Sequence, residues 1–218
     1  METYRTKTPA GGTHCELRIG DSMLMCGGGA PAQGREKRAA LHVYVPDADI
    51  VYRSALEAGG EPVSAPEDKP YGERLAAVKD HTGNLWFIAT RLRPEDVRPQ
   101  SVRIYLRRIN ALGLIEFIKA AFNATERGVY QSPEGKVMHA ELRIGDATIE
   151  LGEIEGEPAA IYLYVPNADS IYQQALEAGA QPLYAPVDQP YGDRQGGVED
   201  RWGNTWYIAT HLGSGTES

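Results

Sequence analysis

Tyr191-Gly192-Asp193-Arg194, then Glu199-Asp200, then Arg201-Trp202-Gly203-Asn204-Thr205-Trp206-Tyr207-Ile208-Ala209-Thr210, form a pattern that the chain writes twice. The earlier copy is Tyr71-Gly72-Glu73-Arg74, Lys79-Asp80 and His81-Thr82-Gly83-Asn84-Leu85-Trp86-Phe87-Ile88-Ala89-Thr90. A repeat of this length means one supersecondary unit used twice. With 218 residues the chain has room for two cores of about 100 residues each.

Ahead of each copy the periodicity gives the same elements. Leu41, Val43 and Val45 alternate with His42 and Tyr44 as a half-buried strand that ends at Pro46. Asp47 or Asp49 caps an amphipathic helix carrying Ile50, Tyr52, Ala55, Leu56 and Ala58, closed by Gly59-Gly60. Pro62, Pro66 and Pro70 mark an irregular stretch, followed by strands over Ala76–Lys79 and Leu85–Thr90 joined at Thr82-Gly83-Asn84. The second copy follows from Ile161, with Tyr164-Val165-Pro166 and Ala175-Leu176-Glu177-Ala178-Gly179 answering Tyr44-Val45-Pro46 and Ala55-Leu56-Glu57-Ala58-Gly59.

A hairpin is duplicated too. His14-Cys15-Glu16-Leu17-Arg18-Ile19-Gly20-Asp21 recurs as His139-Ala140-Glu141-Leu142-Arg143-Ile144-Gly145-Asp146. Read as a two-residue turn, Gly20-Asp21 pairs Ile19 with Ser22, Leu17 with Leu24 and Cys15 with Cys26; Gly145-Asp146 sets Glu141 opposite Glu150. Residues 1–13 read as a lead-in or strand start, and the Gly-rich stretch 27–37 as a connector. Only the second copy has an opening strand (Val102, Ile104, Leu106 alternating with Arg103, Tyr105, Arg107) and a second helix (Leu114, Ile115, Phe117, Ile118, Ala121, Phe122). The organisation expected is a domain over 1–95 lacking its first strand and helix, a linker at 96–100, a complete domain over 101–213 and a disordered tail at 214–218. The shortened domain leaves an apolar face for domain two or another chain to cover, and a homodimer is expected.

The 30 acidic and 22 basic residues give a net charge of −8, which disfavours a nucleic-acid partner. No apolar run reaches the ~18–20 residues of a membrane span, and a cytoplasmic protein is expected. The two cysteines are too few for a disulfide framework and are expected to be reduced core thiols, with a redox switch as the alternative.

The order strand, helix, three strands, together with the quoted hairpin, Tyr164-Val165-Pro166-Asn167-Ala168-Asp169, Tyr191-Gly192-Asp193-Arg194 and Gly203-Asn204-Thr205-Trp206, resembles the vicinal oxygen chelate superfamily, the glyoxalase, bleomycin-resistance and dioxygenase group, and its PhnB-like branch. The resemblance implies an α+β fold of tandem βαβββ modules paired into cups. It also implies metal-ligand positions near Arg103, on Glu150, near Ala160 and on Tyr207, with Met25, Ala40 and Phe87 as first-copy counterparts. Since Glu150 alone keeps a metal-competent side chain there, the resemblance points to small-molecule binding without the usual divalent metal. The alternative is a lyase, isomerase or dioxygenase using a metal or acid–base chemistry.

From the residues, two carboxylates facing across a ladder repel. Three remedies stay open for Glu141 and Glu150: Arg103 or Arg107 pairing with Glu150, a divalent metal held with His139, or else solvent or a shared proton that makes one carboxylate an acid or base. Tyr71 and Arg74, like Tyr191 and Arg194, either bind an anionic or carbonyl group or clamp their own loop through Glu73 or Asp193. His42, Tyr162 and Tyr207 complete the expected ligand-facing set. Trp86 and Trp206 are expected in the core under the helices.

Overall fold

The computed structural model describes residues 1–7, 13–28, 38–93 and 102–213. The expected connector beyond Gly28, the linker at 96–100 and the tail at 214–218 lie outside the described residues. The chain divides into two compact units, Met1–Ile104 and Tyr105–Ser218.

In unit 1, β1 (Glu2–Lys7), β2 (Thr13–Ile19) and β3 (Ser22–Gly28) form an antiparallel sheet in chain order. The lead-in is therefore a true strand. Then come β4 (Ala40–Tyr44), α1 (Ala48–Glu57), β5 (Glu61–Lys69), β6 (Glu73–Lys79) and β7 (Leu85–Arg91), in sheet order β5-β6-β7-β4. The strand β8 (Val102–Arg107) begins in this unit, where Val102, Arg103 and Ile104 pair with Val43, His42 and Leu41.

Unit 2 holds the rest of β8, α2 (Ala111–Phe122), β9 (Thr125–Gln131), β10 (Val137–Ile144) and β11 (Ala147–Gly152), followed by β12 (Ala160–Tyr164), α3 (Ala168–Glu177), β13 (Gln181–Asp188), β14 (Asp193–Glu199) and β15 (Thr205–His211). Its sheets run β11-β10-β9 and β12-β15-β14-β13, with β12 parallel to β15. This is an α+β fold of βαβββ modules, as expected.

Both hairpin registers follow the turn. Gly20 and Gly145 sit at φ 58°, the left-handed conformation that opens a two-residue turn, so pairing is fixed from there outward. Cys15 faces Cys26 and Glu141 faces Glu150. The thiols are free, with Cys15 half-buried and Cys26 exposed, so the expected core position is corrected to the surface. Asp47, rather than Asp49, caps α1, accepting a bond from Ile50 N–H at 3.0 Å.

The stretch expected to be irregular is strand β5. Prolines are tolerated because, among the described residues, β5 is an edge strand pairing with β6 alone, and its register shifts between Pro62 and Ser64 and between Ser64 and Glu67. Among the described residues no helix is long and apolar enough to cross a membrane.

The helix faces of the sheets carry the apolar core. In unit 1, Ala48, Val78 and Ile88 pack with Val51, Tyr52, Ala55 and Trp86. In unit 2, Trp206, Ile208, Val198 and Ala175 are fully buried. Trp206 thus sits where expected, whereas Trp86 is only half-buried. The side-chain period of two turns His42, Glu73 and Phe87 of unit 1, and Tyr162, Asp193 and Tyr207 of unit 2, to the opposite face.

Candidate functional site

In unit 2, β10 and β11 bring three donors together. Ligand atoms of His139, Glu141 and Glu150 all lie within 4.8 Å of one another. His139 Nε2 is 3.7 Å from Glu141 Oε1, and its ring stacks beside Tyr105 with centroids 6.4 Å apart. Glu150 is 0% exposed while Glu141 is half-buried, so the pair has one inner and one outer carboxylate. A cavity of about 360 Å³ adjoins the outer one, lined by Arg127, Gly128, Val129, Tyr130, His139 and Glu141.

Burying a carboxylate is costly unless its charge is compensated, and two facing carboxylates compound that cost. One imidazole and two carboxylates are a donor set that a divalent transition metal accepts. The four positions implied by the resemblance do not fit one: Ala160 has no donor, and Arg103 is a cation. The converged set shares only Glu150 with them.

The second sheet of unit 2 carries a buried acid on the face away from α3. Asp193, 3% exposed, receives Tyr162 OH at 2.8 Å and Tyr164 OH at 2.9 Å on Oδ2, and His211 Nδ1 lies 3.0 Å from Oδ1. Burial pushes its carboxyl up, but His211 and the two phenols outweigh burial and hold it below the usual carboxylate range. Burial, then the Asp193 partner, raises both phenols, Tyr164 to about 12. They remain donors at neutral pH. Tyr207 packs 6.2 Å from Tyr162, and Tyr191, 61% exposed, donates to Gln195 Oε1 at 2.9 Å.

Unit 1 answers with different chemistry. Glu73 receives Tyr44 OH at 2.7 Å, His42 Nε2 lies 3.4 Å from its other oxygen, and Arg91 Nη2 is 4.0 Å away. The His42 ring stacks on Tyr44 at 4.8 Å, and the guanidinium groups of Arg91 and Arg103 each sit 4.8 Å from the centre of the Tyr44 ring.

Several sequence expectations change here. Arg74 joins Asp49 at the start of α1 to Asp68 on β5, and Arg194 joins Asp169 to Asp188. These are loop clamps, but not through Glu73 or Asp193, because adjacent strand residues face opposite ways. Arg107 turns to the Glu155 carbonyl at 2.9 Å. Tyr71 is half-buried in the turn before β6. Around the buried Asp193 and Glu73, the exposed Tyr164 and His211 and the half-buried Arg91 complete polar centres that sequence reasoning missed. Their signal was alternation: once Tyr207 is turned from the helix, so are His211 on its own strand and, through the hairpin register, Gly197, Gln195 and Asp193.

Uncharacterized protein Mb0911c of Mycobacterium bovis is 37% identical to this chain, the match covering 45% of this chain and 75% of that protein. This chain belongs to the Mb0911c family. Uncharacterized protein Rv0887c of Mycobacterium tuberculosis matches at the same identity over 67% of its length. No family profile matches the chain. Among solved structures, glyoxalase I from Zea mays superposes with a TM-score of 0.77 at 14% identity, over 94% of this chain and 82% of that one. A point mutant of the same enzyme gives 0.75 at 15% identity, over 96% and 84%. At this identity the likeness establishes the fold alone: this chain carries the glyoxalase I fold.

Proposed function

We propose that this chain binds a small oxygen-bearing molecule beside His139, Glu141 and Glu150, and that these three side chains hold a divalent cation. The observation that carries the reading is the convergence of one imidazole and two carboxylates within 4.8 Å, with Glu150 fully buried. A bound cation would polarise a carbonyl or carboxylate oxygen of the ligand.

The chain's own groups do the rest. Glu150 is the fixed inner ligand. Glu141, at the cavity wall, is the group reached by a ligand proton, and is the candidate base for abstraction at a carbon next to a carbonyl. His139 is oriented by its stack on Tyr105, and Arg127 offers a cation to an anionic ligand in the cavity of about 360 Å³. The reaction class is therefore an isomerase- or lyase-type proton transfer.

A second reading, sequestration without a metal, draws support from Ala160 and Tyr207 at two positions where the resemblance implies ligands. Calorimetric titration of chelator-stripped protein with Mn²⁺, Ni²⁺ and Zn²⁺ separates the two. One equivalent bound, weakened at least about tenfold in Glu150→Gln, is the expected result. Unchanged affinity in Glu150→Gln, or no binding of any of the three ions, overturns the metal reading and favours the second.

A further inference from the structure

Unit 2 contains a template for a surface that unit 1 leaves open. In unit 2, α2 lies against α3 and the end of the β14–β15 hairpin. Phe122 packs on Trp206 at 4.4 Å and Phe117 on Trp202 at 6.1 Å. Gln174 of α3 donates to the Ala120 carbonyl at 2.6 Å and to Asn123 Oδ1 at 2.9 Å, and Trp202 Nε1 donates to the Ile109 carbonyl at 3.1 Å. Gly113 gives Arg201 room to approach, since a Cβ there would meet its Nη2 at 2.6 Å. Under this cover Trp206 and Ala175 are 0% exposed and Tyr172 is 5% exposed.

The same scaffold stands in unit 1. Trp86 Nε1 donates to Asp80 Oδ2 at 3.0 Å, as Trp206 Nε1 does to Asp200 Oδ2. Yet Trp86, Ala55 and Tyr52, the counterparts of Trp206, Ala175 and Tyr172, are only half-buried. Between α1 and the sheet lies a groove of about 460 Å³, lined chiefly by Val43, Val51, Ala55, Val78, Trp86 and Ile88. Its rim is more apolar than the template's: Ile50, 54% exposed, stands where unit 2 has Ser170, one turn before Ser54 on the same helix face. The longest undescribed stretch, residues 29–37, falls short of the twelve residues of α2.

We infer that this groove docks an amphipathic helix of another polypeptide, presenting aliphatic and aromatic side chains at the spacing of Leu114, Phe117, Ile118, Ala121 and Phe122. An aromatic ring lies over Trp86 as Phe122 lies over Trp206. Helix-in-groove recognition reads such i, i+3, i+4, i+7 anchors, and α2 supplies their geometry. Ser54 in the position of Gln174 removes the amide that fastens the end of α2, and Ile50 offers apolar contact instead, so the partner helix carries an apolar residue there.

The probe is a lactam-bridged peptide of residues 108–124, the bridge holding it helical on its polar side, titrated into the full chain while the indole N–H signals are followed by NMR. Saturable binding that shifts the Trp86 signal, weakened at least about tenfold by Ala55→Arg and left unchanged by Arg53→Glu, is expected. Near-ultraviolet circular dichroism checks that Ala55→Arg folds, and Val51→Ala, in the same groove, serves as the milder second variant, expected to retain weakened binding at the Trp86 signal. No saturation at about 1 mM peptide, or saturation indifferent to Ala55→Arg, overturns the inference. So does a dimer that Ala55→Arg converts to monomer, which assigns the groove to a second copy of this chain.

Discussion

The hairpins that close unit 1 and unit 2 are fastened alike on one face and differ on the other. Asp80 and Asp200 each accept from a tryptophan indole, an asparagine amide and turn backbone N–H groups, and Arg74 and Arg194 each bridge two aspartates. Across the sheet, His42, Glu73 and Arg91 of unit 1 stand where unit 2 has Tyr162, Asp193 and His211. The duplicated part is thus the support, and the chemistry was written separately into each copy. Cover differs as well, since α2 seals Trp206 while Trp86 stays half-open.

The largest test of the cover is a pair of truncations. Trp206→Ala removes a fully buried indole and is expected to cost about 3–5 kcal/mol in urea unfolding. Trp86→Ala, at a half-buried site, is expected to cost clearly less. Equal costs would break the comparison.

Next in size is the buried acid of unit 2. Asp193→Ala leaves the phenols of Tyr162 and Tyr164 without their acceptor, at a cost of roughly 1–3 kcal/mol. It also lowers the Tyr164 phenol from about 12, a change read by ultraviolet titration. A Tyr164 titration indifferent to Asp193→Ala would remove that acid from the centre of the network.

The fastening itself has a pH signature. Burial pushes the Asp80 carboxyl up, but bonds from Trp86, Thr82 and Asn84 outweigh burial and hold it well below its ordinary value. A carboxylate whose folded pKa is depressed stabilises the fold above the unfolded value and loses that contribution as pH falls toward the folded one. Asp80→Asn is therefore expected to flatten the fall in melting temperature below about pH 4. An acid limb identical to that of the parent chain would count against the network.

The hairpin cysteines give the smallest effect. Burial, with Cys15 alongside, raises the Cys26 thiol. Less thiolate at neutral pH means that iodoacetamide labels Cys26 slowly, the rate climbing only above the ordinary thiol range, about 8.5. Cys15→Ser is expected to speed labelling modestly.

What the sequence made legible depended on how local the determining physics was. The facing of Glu141 and Glu150, and of Cys15 and Cys26, followed from a two-residue Gly-Asp turn, because a turn at one end fixes every rung above it. The apolar stripe of Leu114, Ile115, Phe117, Ile118, Ala121 and Phe122 made α2 readable as well, while its cap Asn110 came only with the structure. Strand β5 was hidden because its prolines signal irregularity unless the strand is known to lie at a sheet edge, which only tertiary pairing reveals. The convergence of His139 with the two glutamates was half visible: alternation set the three on one face, but their mutual distance depends on side-chain packing. Asp193 was misread beside Arg194 because neighbours in sequence suggest a pair, while the strand's pleat sends them to opposite faces.

The knot of Asp80, Trp86 and Asn84 has a consequence for protein engineering. It fastens turn and strand from one side, so exchanging His42, Glu73 and Phe87 breaks the Glu73 contacts with Tyr44 and His42 but leaves the knot intact. The tyrosine and aspartate set of unit 2 can then be transplanted onto the matching positions of unit 1, and such variants are expected to fold, as near-ultraviolet circular dichroism would read.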